Sequence, residues 1–140
     1  MDKYLSSEYV YRGSLFLKKR LYPRMYSKNK KYIFATSSLD LAISYIRSDN
    51  AMIAQNDDKK IKLYELQEGE FDRTLKQKGF LYIFDKSKFI KSNLGNLTTE
   101  YISEKIQKPV AIININNPLK LLEKSKNVKL YYKKCKLVKK

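Results

Sequence analysis

The sequence is divided into short strand-like segments, and only one segment carries a clear helical pattern. The strand-like segments are rich in aromatic and β-branched residues, and glycine, proline or polar stretches separate them. They are Tyr4–Phe16 (one strand or two), Tyr32–Ala35, Ile61–Leu66, Gly79–Phe84, Tyr101–Ser103, Pro109–Asn114 and Val128–Tyr132. Because runs of strands with few helices are typical of α+β proteins, we predict a twisted, mostly antiparallel sheet with few helices.

The helical segment follows the strand that ends at Ala35. Four apolar residues are spaced i, i+3, i+4 and i+7, and they are Leu39, Ala42, Ile43 and Ile46. This spacing places them on one face of a helix. Ser37 can cap the N-terminus of that helix, with Asp40 three residues later as the second member of a capping box. The pattern therefore predicts a helix over residues 38–47.

The segments between these elements are mostly polar. The basic stretch Lys18–Lys31 is interpreted as a loop because Pro23 disfavours a helix or a central strand around it. Ser48–Lys60 is interpreted as a polar loop, although residues 51–54 could instead extend or repeat the preceding helix. Pro118–Glu123 predicts a short helix with proline in its first turn.

The length of the chain indicates a single domain, and its charge indicates a polyanionic partner. A chain of 140 residues is close to the common size of a single domain, so we expect residues 1–140 to share one core. Its 30 Lys and Arg against 14 Asp and Glu give a formal net charge of +16, which attracts nucleic acid or another anionic surface. The lysines are widely spread, so a solubilising coat of compositional origin is the alternative. The basic C-terminal end, about residues 124–140, is interpreted as a solvated end rather than a specific nucleic-acid arm.

Two residue counts exclude several kinds of site. The chain has no histidine and a single cysteine, Cys135. It therefore cannot form a disulfide within the chain, a zinc site of the usual Cys/His type or a Ser-His or Cys-His catalytic pair. No apolar run approaches the roughly 20 residues of a membrane span, and the N-terminus does not resemble a signal peptide. We expect a cytoplasmic protein that does not contact membranes and has no metal site.

Three short motifs carry the residue types of a nucleotide site. Tyr11-Arg12-Gly13-Ser14 puts an arginine at a strand end, beside a glycine that allows close backbone approach. Thr36-Ser37-Ser38 ends another strand in hydroxyl residues that open the predicted helix, whose N-terminal N–H groups suit a phosphate or carboxamide oxygen. Glu100 and Glu104 lie near the start of a late strand, where their even spacing would keep both on one face.

The order of these motifs resembles the ADP-ribosyltransferase superfamily. It is most similar to small relatives that carry Tyr-His-Gly-Ser, Leu-x-Pro-Arg and Val-Phe-Ala-Thr, then Gly-x-Ile-Tyr, Glu-aromatic-Val-Ser and Pro-Val. The matching pieces are Tyr11-Arg12-Gly13-Ser14, Leu21-Tyr22-Pro23-Arg24, Ile33-Phe34-Ala35-Thr36, Gly79-Phe80-Leu81-Tyr82, Glu100-Tyr101-Ile102-Ser103 and Pro109-Val110. They run over most of the chain in the same order, and Arg12 stands where those relatives have histidine. The resemblance implies an ADP-ribosyltransferase-like fold.

The resemblance also implies NAD as substrate and a role for each motif. Arg12, together with Tyr11, Gly13 and Ser14, would hold the phosphates or ribose of NAD. Thr36 and Ser37 would line the nicotinamide pocket. The catalytic residues would be Glu100 and Arg12, with Glu100 stabilising the oxocarbenium-like ribose as nicotinamide leaves.

The identity of the catalytic glutamate stays open among Glu100, Glu104, Glu68 and Glu70. The arginine-type toxin branch of the superfamily carries a Glu-x-Glu or Gln-x-Glu pair. Glu68-Gly69-Glu70 has that spacing, but it follows a strand in a predicted turn.

Three functions are compatible with these observations. The first is an NAD-dependent ADP-ribosyltransferase that modifies a nucleic acid or another polyanionic partner. The second is a non-catalytic nucleotide or nucleic-acid binding module of the same fold, encoded by a phage or mobile element. The third is an interaction protein of such an element that occupies a polyanion site of the host.

Overall fold

The computed structural model describes residues 2–47, 52–57, 60–94 and 98–134. Its strands are β1 (Tyr9–Ser14), β2 (Arg24–Ser27), β3 (Lys30–Thr36), β4 (Met52–Asp57), β5 (Lys60–Glu65), β6 (Gly79–Asp85), β7 (Ile90–Lys91), β8 (Glu100–Ser103), β9 (Ala111–Ile115) and β10 (Val128–Tyr131). The helices are α1 (Leu39–Ser44), α2 (Glu70–Leu75) and α3 (Pro118–Lys124), with 3-10 turns at Asp2–Tyr4 and Lys86–Lys88. Cys135 and the rest of the C-terminal end lie outside the described residues.

Two sheets carry these strands. The larger sheet has the order β7-β8-β3-β1-β6-β9, with β2 paired to β3, and all its pairs are antiparallel. The smaller sheet has the order β10-β5-β4, and β10 runs parallel to β5. The predicted α+β class with mostly antiparallel strands and few helices is confirmed, but the described strands form two sheets rather than one.

Strand β6 lies between two apolar clusters. Leu81 and Ile83 belong to a cluster with α1, α2, α3 and β5, whereas Tyr82 and Phe84 belong to a cluster with β3 and Phe89. All four β6 side chains are essentially inaccessible to solvent. Because successive side chains of a strand point to opposite faces, β6 is buried on both faces of the larger sheet.

The core strands predicted from their apolar residues are confirmed to within a few residues. These are the strands now named β3, β5, β6, β8, β9 and β10, together with helix α3. Strand β1 is confirmed inside the broader range Tyr4–Phe16, whose first part instead contains a 3-10 turn.

Three segments differ from the prediction. The basic stretch 18–31 contains β2, whose four residues are all exposed and therefore show no apolar alternation. Strand β4 occupies residues interpreted as a loop or a helix extension, and it forms by pairing with β5 along its length. Helix α2 begins at Glu70, within a predicted turn, because Gly69 at φ 82° redirects the chain into it.

Helix α1 and its N-cap each begin one residue later than predicted. The N-cap is Ser38, not Ser37, and the Ser38 hydroxyl accepts a hydrogen bond from the backbone N–H of Leu41 (3.2 Å). The predicted capping box is absent, because the Asp40 carboxylate accepts a hydrogen bond from the Ser125 hydroxyl (2.7 Å). The helix also ends at Ser44, before the predicted end at residue 47.

No helix in the described ranges is long and apolar enough to cross a membrane.

The two adjacent serines at the start of α1 provide a matched test of this correction. We expect Ser38→Ala to lower the free energy of unfolding by about 1 kcal/mol, because it removes the cap of α1. Ser37→Ala should change it by less than about 0.5 kcal/mol, since the Ser37 side chain is exposed and its hydrogen bond to Thr99 O comes from the backbone N–H, which alanine keeps. Urea unfolding of both variants measures the difference. A larger loss in Ser37→Ala would contradict the assignment of the cap.

Candidate functional site

The larger sheet is open between β1 and β3. Strand β1 pairs with β6 at six register positions, but it pairs with β3 only at Tyr11↔Thr36. At the next residue of β1, Arg12 Nη1 donates a hydrogen bond to the backbone carbonyl of Phe34 (2.9 Å). A side chain thus satisfies a backbone acceptor that a continuous ladder would satisfy with an N–H group. The result is a cleft between two central strands.

A cavity of 370 Å³ lies at this cleft. Its lining residues come from β1, β3, α1 and the start of β8, and they are Tyr11, Arg12, Gly13, Phe34, Ala35, Thr36, Leu41, Tyr45, Thr99 and Glu100. Five of the predicted site residues, Tyr11, Arg12, Gly13, Thr36 and Glu100, are therefore brought together. Arg12 and Glu100 both line the cavity, although they come from strands that are about 90 residues apart in the sequence.

A second cavity of 180 Å³ adjoins the first. The two share Arg12 and Phe34 as lining residues, and the predicted site residue Ser14 lines the second one only. The Ser14 hydroxyl accepts a hydrogen bond from the backbone N–H of Phe16 (3.1 Å). Ser37 lines neither cavity, and its side chain is exposed.

Arg12 is a half-buried cation whose hydrogen bond is to a neutral acceptor. Within the described ranges no carboxylate forms an ion pair with it. Burial lowers the pKa of the Arg12 guanidinium, the positive charge of Arg24 lowers it further, and Tyr82 acts in the opposite direction. Arginine nevertheless stays charged at neutral pH. A partly dehydrated guanidinium with further N–H donors favours an anionic ligand such as phosphate.

Glu100 is held in place by Ser92. The Ser92 hydroxyl donates to Glu100 Oε1 (2.7 Å), and the Ser92 N–H donates to the Glu100 backbone carbonyl (2.9 Å). Strand pairing sets Glu100 opposite Thr36, whose own hydroxyl accepts from the N–H of Ser38 (3.0 Å). A positioned carboxylate at the cavity wall can stabilise positive charge that develops on a bound group.

The other three glutamates lie away from this cavity. Strand β8 ends at Ser103, so the exposed Glu104 is outside it, and the expectation that Glu100 and Glu104 share a strand face is wrong. Glu68 is exposed, and Glu70 is buried at the start of α2, where its carboxylate accepts a hydrogen bond from the N–H of Gln67. Of the four candidates, only Glu100 lines the cavity.

Tyr45 was not predicted from the sequence as a site residue. It follows α1 and lines the cavity together with Leu41, four residues earlier, which is the spacing of neighbours on one helix face. Burial raises the pKa of Tyr45, the positive charge of Arg47 lowers it, and Glu100 raises it. The Tyr45 hydroxyl is therefore protonated at neutral pH and can donate a hydrogen bond. The four-residue spacing from Leu41 was the available sequence signal for Tyr45, but only the packing of α1 shows which face of the helix lines the cleft.

Gly13 is required by the packing of α1. A Cβ atom at residue 13 would lie 1.9 Å from the backbone oxygen of Ala42 and 2.8 Å from Ile46 Cγ1. The close approach predicted for this glycine is thus made by a helix of the same chain, although Gly13 also lines the cavity. The glycine lets α1 lie directly on β1, which brings Leu41 and Tyr45 to the cleft.

Comparisons with protein-family models, curated protein sequences and solved protein structures found no match to this chain.

Substituting Gly13 tests whether the packing of α1 determines this site. We expect Gly13→Ala to lower the free energy of unfolding by about 2 kcal/mol or more, because a backbone oxygen must move to admit the methyl group. Ser14→Ala on the same strand should cost less than about 1 kcal/mol, since it removes one hydrogen bond near the surface. Urea unfolding measures both. Equal stability of Gly13→Ala and the parent protein would contradict the close packing.

Proposed function

We propose that this protein is an ADP-ribosyltransferase-like enzyme that binds NAD at the cleft between β1 and β3. ADP-ribose would be transferred to a nucleic acid or another polyanionic partner. The observation that carries the proposal is that one cavity collects Arg12, Thr36 and Glu100. These residues come from three motifs whose order in the sequence resembles that superfamily.

The proposed reaction needs one negative charge at a fixed position. NAD supplies the ADP-ribose group, and its bond to nicotinamide breaks with the electron pair leaving on nicotinamide. Glu100 would stabilise the positive charge that develops on the ribose, because its carboxylate is held at the cavity wall by Ser92. The acceptor then forms the new bond to the ribose carbon and releases its proton to solvent.

The size of the cavity suits the nicotinamide end of NAD. Its 370 Å³ is near the lower end of small-molecule sites, which suits nicotinamide and the adjoining ribose rather than a whole dinucleotide. Phe34 and Tyr45 provide aromatic surface for a flat ring. Arg12 would meet the phosphates, because it has no carboxylate partner in the described part of the chain.

A non-catalytic nucleotide-binding module is the second candidate. It is favoured by Arg12 itself, which stands where the resembled Tyr-His-Gly-Ser motif has histidine and which donates to the Phe34 carbonyl (2.9 Å). An arginine that bridges the cleft can hold phosphate without contributing to bond cleavage. This candidate predicts nucleotide binding without release of nicotinamide.

The decisive measurement is nicotinamide release from NAD by the purified protein, with and without added DNA or RNA. We expect Glu100→Gln to lower the release rate by about 100-fold or more, because the neutral amide no longer stabilises the developing charge. NAD affinity, measured by calorimetry, should change little. Glu104→Gln is the matched control, since the same charge is removed from an exposed glutamate outside the cavity.

Three outcomes would distinguish the candidates. Equal release by the parent protein and Glu100→Gln would contradict the assignment of Glu100. NAD binding without release by the parent protein would favour the binding module. Absence of NAD binding would overturn the transferase.

A further inference from the structure

The segment that follows β1 exposes a concentration of large apolar side chains. We define the aromatic–basic surface as residues 16–26. The exposed fractions of its large apolar side chains are 67% for Phe16, 64% for Leu17, 61% for Tyr22, 65% for Met25 and 50% for Tyr26. A soluble domain rarely places so many together unless they meet a ligand or partner.

The same region has a strongly positive charge. Residues 9–39 contain no Asp or Glu, and their basic residues are Arg12, Lys18, Lys19, Arg20, Arg24, Lys28, Lys30 and Lys31. All of these except Arg12 are exposed. Because no acidic side chain lies within this stretch to offset the cations, they produce a local field that attracts a polyanion.

Backbone contacts hold this surface in a defined position. The buried Tyr82 hydroxyl donates to the carbonyl of Phe16 (2.7 Å) and accepts from the N–H of Lys18 (2.7 Å). Leu21 exchanges two backbone hydrogen bonds with Gln107 (2.9 and 3.0 Å). The exposed rings are therefore displayed on an anchored segment, which reduces the entropy that a ligand must overcome.

The surface borders the candidate nucleotide site. The 180 Å³ cavity is lined by aromatic, apolar and cationic residues of the segment, and these include Phe16, Tyr22, Met25, Lys18 and Arg24. Arg12 lines both this cavity and the larger one that contains Glu100. A ligand on the aromatic–basic surface would thus be adjacent to the cleft.

We infer that the aromatic–basic surface binds single-stranded nucleic acid. Bases stack on Phe16 and Tyr22, and neither ring packs against another aromatic ring in the described part of the chain. Phosphates contact Lys18, Arg20 and Arg24. Single strands fit better than duplexes because their base faces are accessible for stacking, whereas a duplex would offer this surface only its backbone.

This inference names the acceptor class of the proposed transferase, and in that respect it rests on the proposed function. A single strand on this surface would present its bases or sugars next to the cavity where the bond between ribose and nicotinamide would break. Binding itself does not require NAD. It is therefore measured without NAD, so that failure of binding and failure of nicotinamide release are separate results.

The test is fluorescence anisotropy with labelled 12-nucleotide DNA and RNA single strands and with the corresponding DNA duplex. We expect the parent protein to bind single strands more tightly than the duplex. The Phe16→Ala/Tyr22→Ala double variant should bind single strands at least about tenfold more weakly. Its control is Ile90→Ala/Leu121→Ala, which removes two exposed apolar side chains elsewhere and should bind normally.

The basic residues are tested by a second pair of variants with equal net charge. Lys18→Ala/Arg20→Ala/Arg24→Ala should reduce the salt dependence of single-strand binding by about 0.7 in log–log slope per lost phosphate contact. Lys124→Ala/Lys126→Ala/Lys129→Ala removes three exposed charges from the C-terminal part and should leave the slope nearly unchanged. Comparison of DNA with RNA identifies which nucleic acid is preferred.

Each contrary result overturns the inference. Absence of oligonucleotide binding, or equal binding by Phe16→Ala/Tyr22→Ala and its control Ile90→Ala/Leu121→Ala, would show that the rings are not a stacking surface. Equal losses in the two charge variants would show that the overall charge, and not this surface, attracts the polymer. Tighter binding of the duplex than of single strands would show that bases do not stack on this surface. If nicotinamide is released despite any of these results, the proposed transferase activity still stands, but its acceptor binds elsewhere.

Discussion

The candidate site depends on the incomplete pairing of two central strands. Backbone groups inside a protein need hydrogen-bond partners, and β1 obtains them from β6 along its whole length but from β3 at one position. Arg12 supplies a donor to Phe34 across the remaining gap. A sheet that is continuous on one side of β1 and open on the other creates a cleft without a separate domain or a long loop.

Helix α1 completes the cleft, and its position depends on the absence of a side chain at Gly13. Gly13 lets the backbone of α1 approach β1, and the helix brings Leu41 and Tyr45 to the cavity. Its N-cap, Ser38, lies two residues after Thr36. Glu100 reaches the same cavity because β8 pairs with the other edge of β3. Strand β3 thus connects the hydroxyl, the carboxylate and the guanidinium of the site.

Apolar patterning was sufficient to predict the core strands and α1, but not the elements formed by tertiary contacts. Strand β2 is exposed along its length, and β4 forms through β5. Helix α2 begins after a glycine at positive φ, and its six residues contain only one apolar i, i+4 pair, Phe71 and Leu75. The local sequence also did not show that Ser38, rather than Ser37, is the N-cap of α1. Arg12, Thr36 and Glu100, which the motif order had grouped, line one cavity, whereas Tyr45 required knowledge of how α1 packs.

The anchoring of residues 16–22 separates the requirements of folding from those of recognition. Tyr82 and Gln107 hold this segment through its main chain, by the carbonyl of Phe16, the N–H of Lys18 and both backbone groups of Leu21. The identities of Phe16, Lys18 and Tyr22 are therefore nearly irrelevant to these bonds. Evolution can exchange the outward-facing side chains, and with them the ligand preference of the surface, while the scaffold beneath is conserved in shape. The segment is consequently a natural position for diversification and for engineered changes of specificity.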